Sequence, residues 1–199
     1  LMIAGLLVSI AGQIIRILTV GFTPAFTSGR NSKWQIAEEI NTTGIYSTVR
    51  HPLYLANFFM WLGPALLTSQ LWFIAAFFLF YFVYYERIMY AEEQFMGKQF
   101  KDDYKDWAKK TPAIIPSFKN FRKPKYTFSW KKILKQEKNG IAAIFIIFYL
   151  FDFSAHIIHE NRFVIVFNFW FYAALIATIF YFVLKFMKWN TNLLDEPGR

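Results

Sequence analysis

The sequence predicts an all-α, polytopic membrane protein with about five transmembrane helices, two of them joined in a tight hairpin. Hydrophobic residues make up 56% of the 199 residues and charged residues only 18%, which is too little charge to cover a soluble domain of this size. The apolar blocks lack the period-two alternation of a transmembrane barrel. Backbone groups in lipid must be satisfied within each segment, and this favours helices.

Four apolar blocks carry the predicted spans, at residues 1–20, 53–85, 141–158 and 163–184. The first lacks the basic leading end of a signal peptide and is longer than one, so we expect it to be a span. The second is uncharged and too long for one ordinary span. Its one polar cluster, Thr68-Ser69-Gln70, predicts the turn of a helical hairpin.

The charge distribution predicts the orientation of the helices. Residues 98–138 hold thirteen Lys and Arg and four acids, a surplus that equals the whole net charge of +9. The positive-inside rule therefore places this segment, and residues 21–51, on the cytoplasmic side, with the N-terminus outside and the C-terminus inside. The positive charge suggests contact with anionic headgroups, and the apolar blocks argue against nucleic acid as the partner.

We expect two units along the chain. Residues 1–139 form a core that contains the hairpin 53–85 and a cytoplasmic interfacial segment, 86–139. Residues 140–199 add two C-terminal helices and a tail. The chain has no cysteine, which excludes disulfides, thiolate metal sites and cysteine nucleophiles.

The hairpin brings two polar clusters to the same membrane surface. Arg50 and His51 precede its first helix, and Glu92 and Glu93 follow its second. Arg50 can pair with an anion, and histidine can donate or accept a proton near neutral pH. Because neighbouring positions of a helix point in different directions, we expect one of the two glutamates to face the site. Headgroup anchoring by Arg50 and His51, and a solvated face for the glutamates, are the simpler alternatives.

The order of these motifs resembles a known enzyme family. Gly44, Ile45, Tyr46, Val49, Arg50, His51, Pro52 and Tyr54, followed by an apolar hairpin and Glu92-Glu93, are similar to the isoprenylcysteine carboxyl methyltransferase family, which includes phospholipid N-methyltransferases. The resemblance covers about residues 40–116. It continues through Phe100, Tyr104, Trp107, Pro112 and Ile115-Pro116.

The resemblance implies a membrane enzyme that binds S-adenosylmethionine in a pocket open to the cytoplasm and methylates a lipid or lipidated substrate from the bilayer. It implies catalytic roles for Arg50, His51, Glu92 and Glu93, and cofactor binding by Ile40, Gly44, Tyr46, His51, Tyr54 and Glu93. The acceptor stays open between isoprenylcysteine, a phospholipid amine and a lipid phosphate. A composition rich in Lys, Ile, Phe and Asn suggests an AT-rich, bacterial genome, so we expect the protein in a bacterial inner membrane.

Two other functions are compatible with parts of the pattern. Membrane reductases of the sterol-reductase type, which use a nicotinamide cofactor, have a similar Arg-His step. Against this alternative, Pro52 follows His51 directly and the glutamate pair is of the methyltransferase type. A membrane adaptor that keeps only the fold is the second alternative, and it should tolerate mutation of His51 and Glu93.

Asp152, His156 and His159 form a separate constellation on the fourth predicted span. Their spacing of i, i+4 and i+7 places them on one helix face, where they could bind a divalent metal with Glu160. A hydrogen-bonded cluster explains them equally, since an aspartate inside a membrane needs partners. Ligands on one straight helix rarely complete a tetrahedral site, so we predict no metal.

Overall fold

The computed structural model describes residues 1–24, 37 and 39–198, and the secondary structure of this part is helical throughout. The predicted cytoplasmic region 21–51 therefore lies partly outside the described residues. The helices are α1 (Met2–Gly21), α2 (Pro52–Leu67), α3 (Leu71–Lys110), α4 (Trp130–Glu160) and α5 (Phe169–Asn190), with 3₁₀ turns at Gly44–Ser47 and Phe118–Asn120.

The all-α membrane fold is confirmed. Among the described residues, α1, α3, α4 and α5 are long and apolar enough to cross a membrane, and α2 is a shorter apolar helix. The chain is an integral membrane protein. The orientation of the helices relative to the cytoplasm stays a prediction.

The predicted hairpin is formed by α2 and α3. Its turn lies at Thr68–Gln70, where Ser69 adopts a positive φ of 55°. The second helix continues to Lys110, through the first part of the segment expected to be interfacial. It is broken at Lys101, whose φ of 47° and ψ of −118° are not helical. This break separates the long part of the helix, which is apolar up to Tyr85, from a short polar part, residues 102–110.

Small residues bring α1 and α2 into close contact. A Cβ atom on Gly12 would lie 2.6 Å from both Ala56 O and Met60 N, so only glycine fits there. Ser9 donates from Oγ to Met60 O at 2.9 Å. Small residues at helix interfaces allow such backbone approach in membranes. This close packing fixes the positions of the polar groups at the end of α1 and the start of α2.

Helix α4 is attached to the end of α1. Ser129 caps α4 by accepting a hydrogen bond from Lys132 N at 3.1 Å. The buried Lys132 ammonium donates to Thr23 O, Thr23 Oγ1 and Pro24 O at 2.8–3.0 Å. A cation here complements the carbonyls that follow the C-terminus of α1. The predicted division between residues 139 and 140 falls inside α4, and it stays a prediction.

The Asp152 constellation connects α4 to α5. Asp152 Oδ2 accepts a hydrogen bond from Asn168 Nδ2 at 2.7 Å, and His156 Nε2 lies 3.8 Å away from it. Asn168 in turn caps α5 through its Oδ1 atom. In the part of the chain that the structure describes, no three His, Asp or Glu side chains are arranged so that they could hold a metal ion. Asp152 therefore orients a helix cap.

Candidate active site

The segment before α2 is fixed by backbone hydrogen bonds. Arg50 N donates to Pro112 O at 2.8 Å, and His51 N donates to Ala113 O at 3.2 Å. Pro52 occupies the first turn of α2, where its missing N–H costs nothing. The side chains of Arg50 and His51 therefore project from a backbone that the 112–113 segment holds in place.

The imidazole of His51 lies between two carboxylates. Its Nε2 is 2.9 Å from Glu93 Oε1, and its Nδ1 is 3.6 Å from Glu92 Oε2. His51 is only 7% exposed. Because an ionised carboxylate can only accept, the short contact requires a proton on Nε2. Both glutamates thus contact the same ring. The expectation that only one of them faces the site is wrong, because the ring lies between the directions in which the two side chains point.

The guanidinium of Arg50 contacts two neighbouring groups. Its Nε lies 3.2 Å from Glu93 Oε1, an ion pair without good hydrogen-bond geometry, and its Nη1 donates to Ala108 O at 3.2 Å. Ala108 belongs to the short helix after the break at Lys101. The break in α3 therefore brings a carbonyl group to the guanidinium of Arg50.

Tyrosines of α2 and α3 line one side of the site. Tyr54 donates from its hydroxyl to Glu92 Oε2 at 2.9 Å, and its ring stacks on His51 with centroids 5.6 Å apart. Tyr81 donates to the Tyr54 carbonyl at 2.7 Å. The ring of Tyr85 lies 5.1 Å from that of Tyr54. Aromatic faces and a carboxylate therefore meet at one place, an arrangement that attracts cations.

The preceding 40–46 segment lies beside this cluster. Gly44 has a φ of +59°, which glycine adopts without strain, and its N–H donates to Arg122 O at 3.0 Å. Burial and then the Glu92 charge raise the pKa of the Tyr46 hydroxyl. The hydroxyl therefore stays protonated at neutral pH. Ile40 is half-buried before this turn.

The structure thus brings together Arg50, His51, Tyr54, Glu92 and Glu93 through direct contacts. Val49, the residue before Arg50, donates from its N–H to Ile45 O at 3.2 Å, so the 40–46 segment adjoins the same cluster. The catalytic and cofactor-binding roles of these residues stay predictions. What the geometry offers is a buried imidazole, two carboxylates and several tyrosine hydroxyls on one polar surface at the end of the apolar helices.

Sequence reasoning missed a second polar cluster next to this site. Arg16 forms a bidentate ion pair with Glu137 at 2.7 and 2.8 Å, and it donates to Asn57 Oδ1 at 2.6 Å. Gln13 Nε2 also donates to Glu137, at 2.9 Å. Two signals were present. Arg16 is the only charged residue in the first apolar block, and Glu137 is the only acid between Asp106 and Asp152.

A cleft of about 630 Å³ lies on the polar side of the fold. It contains none of the predicted site residues, although Ser47 of the Gly44–Ser47 turn lines it. Trp107 also lines it, and the indole N–H of this residue is buried without a partner in the described part of the chain. The remaining lining residues are Thr42, Asp103, Asp106, Lys110, Thr111, Asn120, Phe121 and Arg122.

Comparison with known proteins gives sequence relatives but no structural one. The nickel-cobalt-cadmium resistance protein NccN of Alcaligenes xylosoxydans xylosoxydans is 32% identical over 54% of this chain and 49% of its own. The cobalt-zinc-cadmium resistance protein CzcN of Cupriavidus metallidurans is 28% identical over 60% of this chain and 54% of its own. The chain thus spans about half the length of these relatives. No solved structure matches it.

A third relative is the protein-S-isoprenylcysteine O-methyltransferase of Schizosaccharomyces pombe, which is 36% identical over 38% of this chain and 32% of its own length. The model of the phospholipid methyltransferase family matches residues 1–103, which is more than half of the chain. This match includes α1, α2, the Arg50-His51 step and both glutamates, and it confirms the resemblance found in the sequence. The chain belongs to the phospholipid methyltransferase family.

Proposed function

We propose that the protein transfers the methyl group of S-adenosylmethionine to a membrane-embedded lipid or lipidated substrate at the cytoplasmic face of a bacterial inner membrane. The observation that carries this proposal is the clamp of Glu92 and Glu93 on His51, with Tyr54 bound to Glu92. These groups come from the two ends of the hairpin, within the family match. The proposed core is residues 1–139.

The charges of the site fit a cationic cofactor. In the described part of the chain, Arg16 pairs with Glu137 and Arg50 pairs with Glu93, while no lysine or arginine pairs with Glu92. With a neutral histidine the site therefore has an excess of negative charge. S-adenosylmethionine carries a net positive charge, so these residues would suit it. When bound, it supplies a methyl group already activated by its positive sulfur.

The protein's own residues then bind and orient. Glu92 and the rings of Tyr54 and Tyr85 would attract positive charge, while the protonated hydroxyl of Tyr46 can donate or accept a hydrogen bond. His51 would keep Glu93 in place through its Nε2 proton. Because the contacts among these side chains are already formed, the side chains would need to move little during a methyl transfer.

The acceptor decides whether a base is required. A carboxylate or phosphate oxygen is already ionised, so the chain needs only to hold it, and we propose Arg50 for this role. An amine has to lose a proton, and Glu92, which is 44% exposed, is the carboxylate best placed to take it. The basic residues of segment 98–138 support an anionic lipid headgroup.

Calorimetric titration with S-adenosylhomocysteine tests the proposal on detergent-purified protein. We expect saturable binding by the wild type and an affinity at least about tenfold lower in the His51→Ala, Glu93→Ala double variant, because both contacts of the clamp are lost. The matched control is Glu86→Gln, an exposed position on the same helix, which should bind as the wild type does.

Two results would contradict the proposal. Absence of binding by well-folded wild-type protein would remove the cofactor, and nicotinamide cofactors would be titrated next. Equal binding by the wild type and the double variant would show that the cofactor does not bind at the His51 clamp.

A further inference from the structure

The buried ion pair of Arg16 and Glu137 joins parts of the chain that lie far apart in sequence. Arg16 is on α1, Glu137 is on α4, and Asn57, which also accepts from Arg16, is on α2. Glu137 is only 1% exposed and accepts three hydrogen bonds, two from Arg16 and one from Gln13. Two of the three hydrogen bonds of Glu137 thus hold the guanidinium of Arg16, and the third, from Gln13, holds the Glu137 carboxylate itself.

Arg16 lies at the edge of the proposed active site. It follows Ser9 and Gly12 along the face of α1 that packs on α2, so its side chain points to the start of α2. Its acceptor Asn57 is one turn beyond Tyr54. Helix α1 also contacts the Gly44–Ser47 turn, which holds Tyr46. Arg16 therefore contacts α2 one turn from Tyr54, and its helix contacts the turn that holds Tyr46.

The guanidinium has two N–H groups that can donate to a further ligand. Three of its five N–H groups have acceptors among the described residues, which leaves one N–H on each terminal nitrogen. Its side chain is 21% exposed, in contrast to the buried Glu137 that holds it. The guanidinium is thus presented with one side bound and another side open.

We infer that Arg16 binds the carboxylate of the amino-acid end of S-adenosylmethionine, and that Glu137 is the positioning residue that holds Arg16 for this contact. The inference rests on the proposed function and assigns a role in the site to α4, which lies outside the family match. Arg50 then keeps its proposed role of holding the methyl acceptor.

The choice of a carboxylate of the cofactor follows from the pattern of charge. The amino-acid end of the cofactor is a zwitterion, with an ammonium group and a carboxylate on one carbon. Its complement is a carboxylate and a cationic side chain a few ångströms apart. Glu92 accepts a hydrogen bond from Tyr54. Arg16 donates to Asn57, which lies one turn further along α2, so the two charges lie beside neighbouring turns of one helix. Glu92 would face the ammonium group and Arg16 the carboxylate.

Two ligands separate this contact from general effects on folding. S-adenosylhomocysteine and its decarboxylated analogue differ only in the carboxylate, and calorimetry gives a dissociation constant for each. We expect the wild type to prefer S-adenosylhomocysteine by about tenfold or more, the size expected for hydrogen bonds to a charged group. Because the preference is a ratio measured on one folded protein, a general loss of stability cancels.

The variants are Glu137→Gln and the double variant Arg16→Gln, Glu137→Gln. The double variant removes both charges and so avoids leaving one buried charge alone. We expect the preference to fall below about threefold in both, and Glu137→Asp to restore part of it. The matched control Arg87→Gln changes an exposed arginine of α3 and should keep the full preference.

Each other outcome overturns the inference. An unchanged preference in the variants excludes Arg16 as the carboxylate ligand. Equal weakening of both ligands shows that the ion pair only stabilises the helix packing. If S-adenosylhomocysteine binding is unchanged while the variants lose binding of phosphatidic acid in phosphatidylcholine nanodiscs, Arg16 serves the acceptor. Failure of the wild type to bind S-adenosylhomocysteine at all is a failure of the proposed function, and the inference falls with it.

Discussion

Helix α2 has two faces that differ in how they pack. Towards α1 it presents small residues, and the backbones come so close that Gly12 cannot carry a Cβ atom. Towards α3 it presents Phe58, whose ring centroid lies 5.0–6.0 Å from four rings of that helix. In the most apolar 18-residue stretch of each neighbouring helix, 33% of the residues of α1 are buried, whereas none of the residues of α3 are.

The difference shows which contacts position the site. His51 and Tyr54 start α2, and on the α1 side Arg16 and Asn57 are fixed by short polar contacts. On the α3 side the contacts are between aromatic rings, which lipid tails can replace at small cost because hydrocarbon is as apolar as a side chain. We therefore expect stability to depend on the α1 side, and the open side to be the one that adapts to a lipid.

The largest effect is expected from Gly12→Leu. The new side chain would meet the backbone of α2, which cannot move without separating the two helices. We expect a loss of about 3 kcal/mol in the free energy of unfolding. Unfolding in mixed detergent micelles measures it, with Ala11→Leu, an exposed neighbour, as the control. An unfolding curve like that of the wild type would show that the close contact is not required.

A smaller effect is expected from Phe58→Ala on the opposite face. The change removes several aromatic contacts, worth about 1 kcal/mol together once lipid or detergent fills the space. The same unfolding measurement should therefore rank this variant well below Gly12→Leu. The reverse order would mean that α3, and not α1, is the partner on which α2 depends.

The break in α3 gives a prediction of opposite sign. Lys101 has a positive φ that favours glycine. Replacing it by glycine should relieve strain and raise the free energy of unfolding by about 0.5 kcal/mol, net of the entropy that glycine loses. As the control, Lys98→Gly lies in regular helix and should lower it. Destabilisation by both would show that the Lys101 side chain matters more than its backbone.

The smallest effect concerns the segment that leads into the site. Hydrogen bonds from Tyr126 and then Lys125 lower the pKa of Glu39, and the ion pair is largely exposed. A lowered pKa means that the contribution to stability is present above the unfolded pKa and is lost as the pH falls through the folded one. The melting temperatures of wild type and Glu39→Gln should differ slightly at pH 7 and converge in acid. A gap that grows in acid would contradict this.

The sequence predicted the parts that depend on local pattern and on membrane geometry. The apolar blocks and Thr68-Ser69-Gln70 located the hairpin, and the hairpin returned Glu92 and Glu93 to the level of His51. The contact of both carboxylates with one ring was not predictable from helix directions alone, because it depends on the ring lying between them.

Other features depend on tertiary contacts that no local signal encodes. The break at Lys101 occurs at a residue with good helix propensity, and it is stabilised by what the following helix contacts, such as Arg50. The pairing of Arg16 with Glu137 joins positions 121 residues apart. From the sequence, Arg16 indicated only the side of the membrane on which α1 ends.

That separation has a consequence for biosynthesis. At a synthesis rate of about 5–20 residues per second, α1 is made about 6–24 s before Glu137 exists. During this time an arginine in lipid is costly, and its long side chain would extend to the headgroup layer. The final seating of Arg16 between α2 and α4 is therefore a late event in assembly, and it can occur only after most of the chain has been inserted.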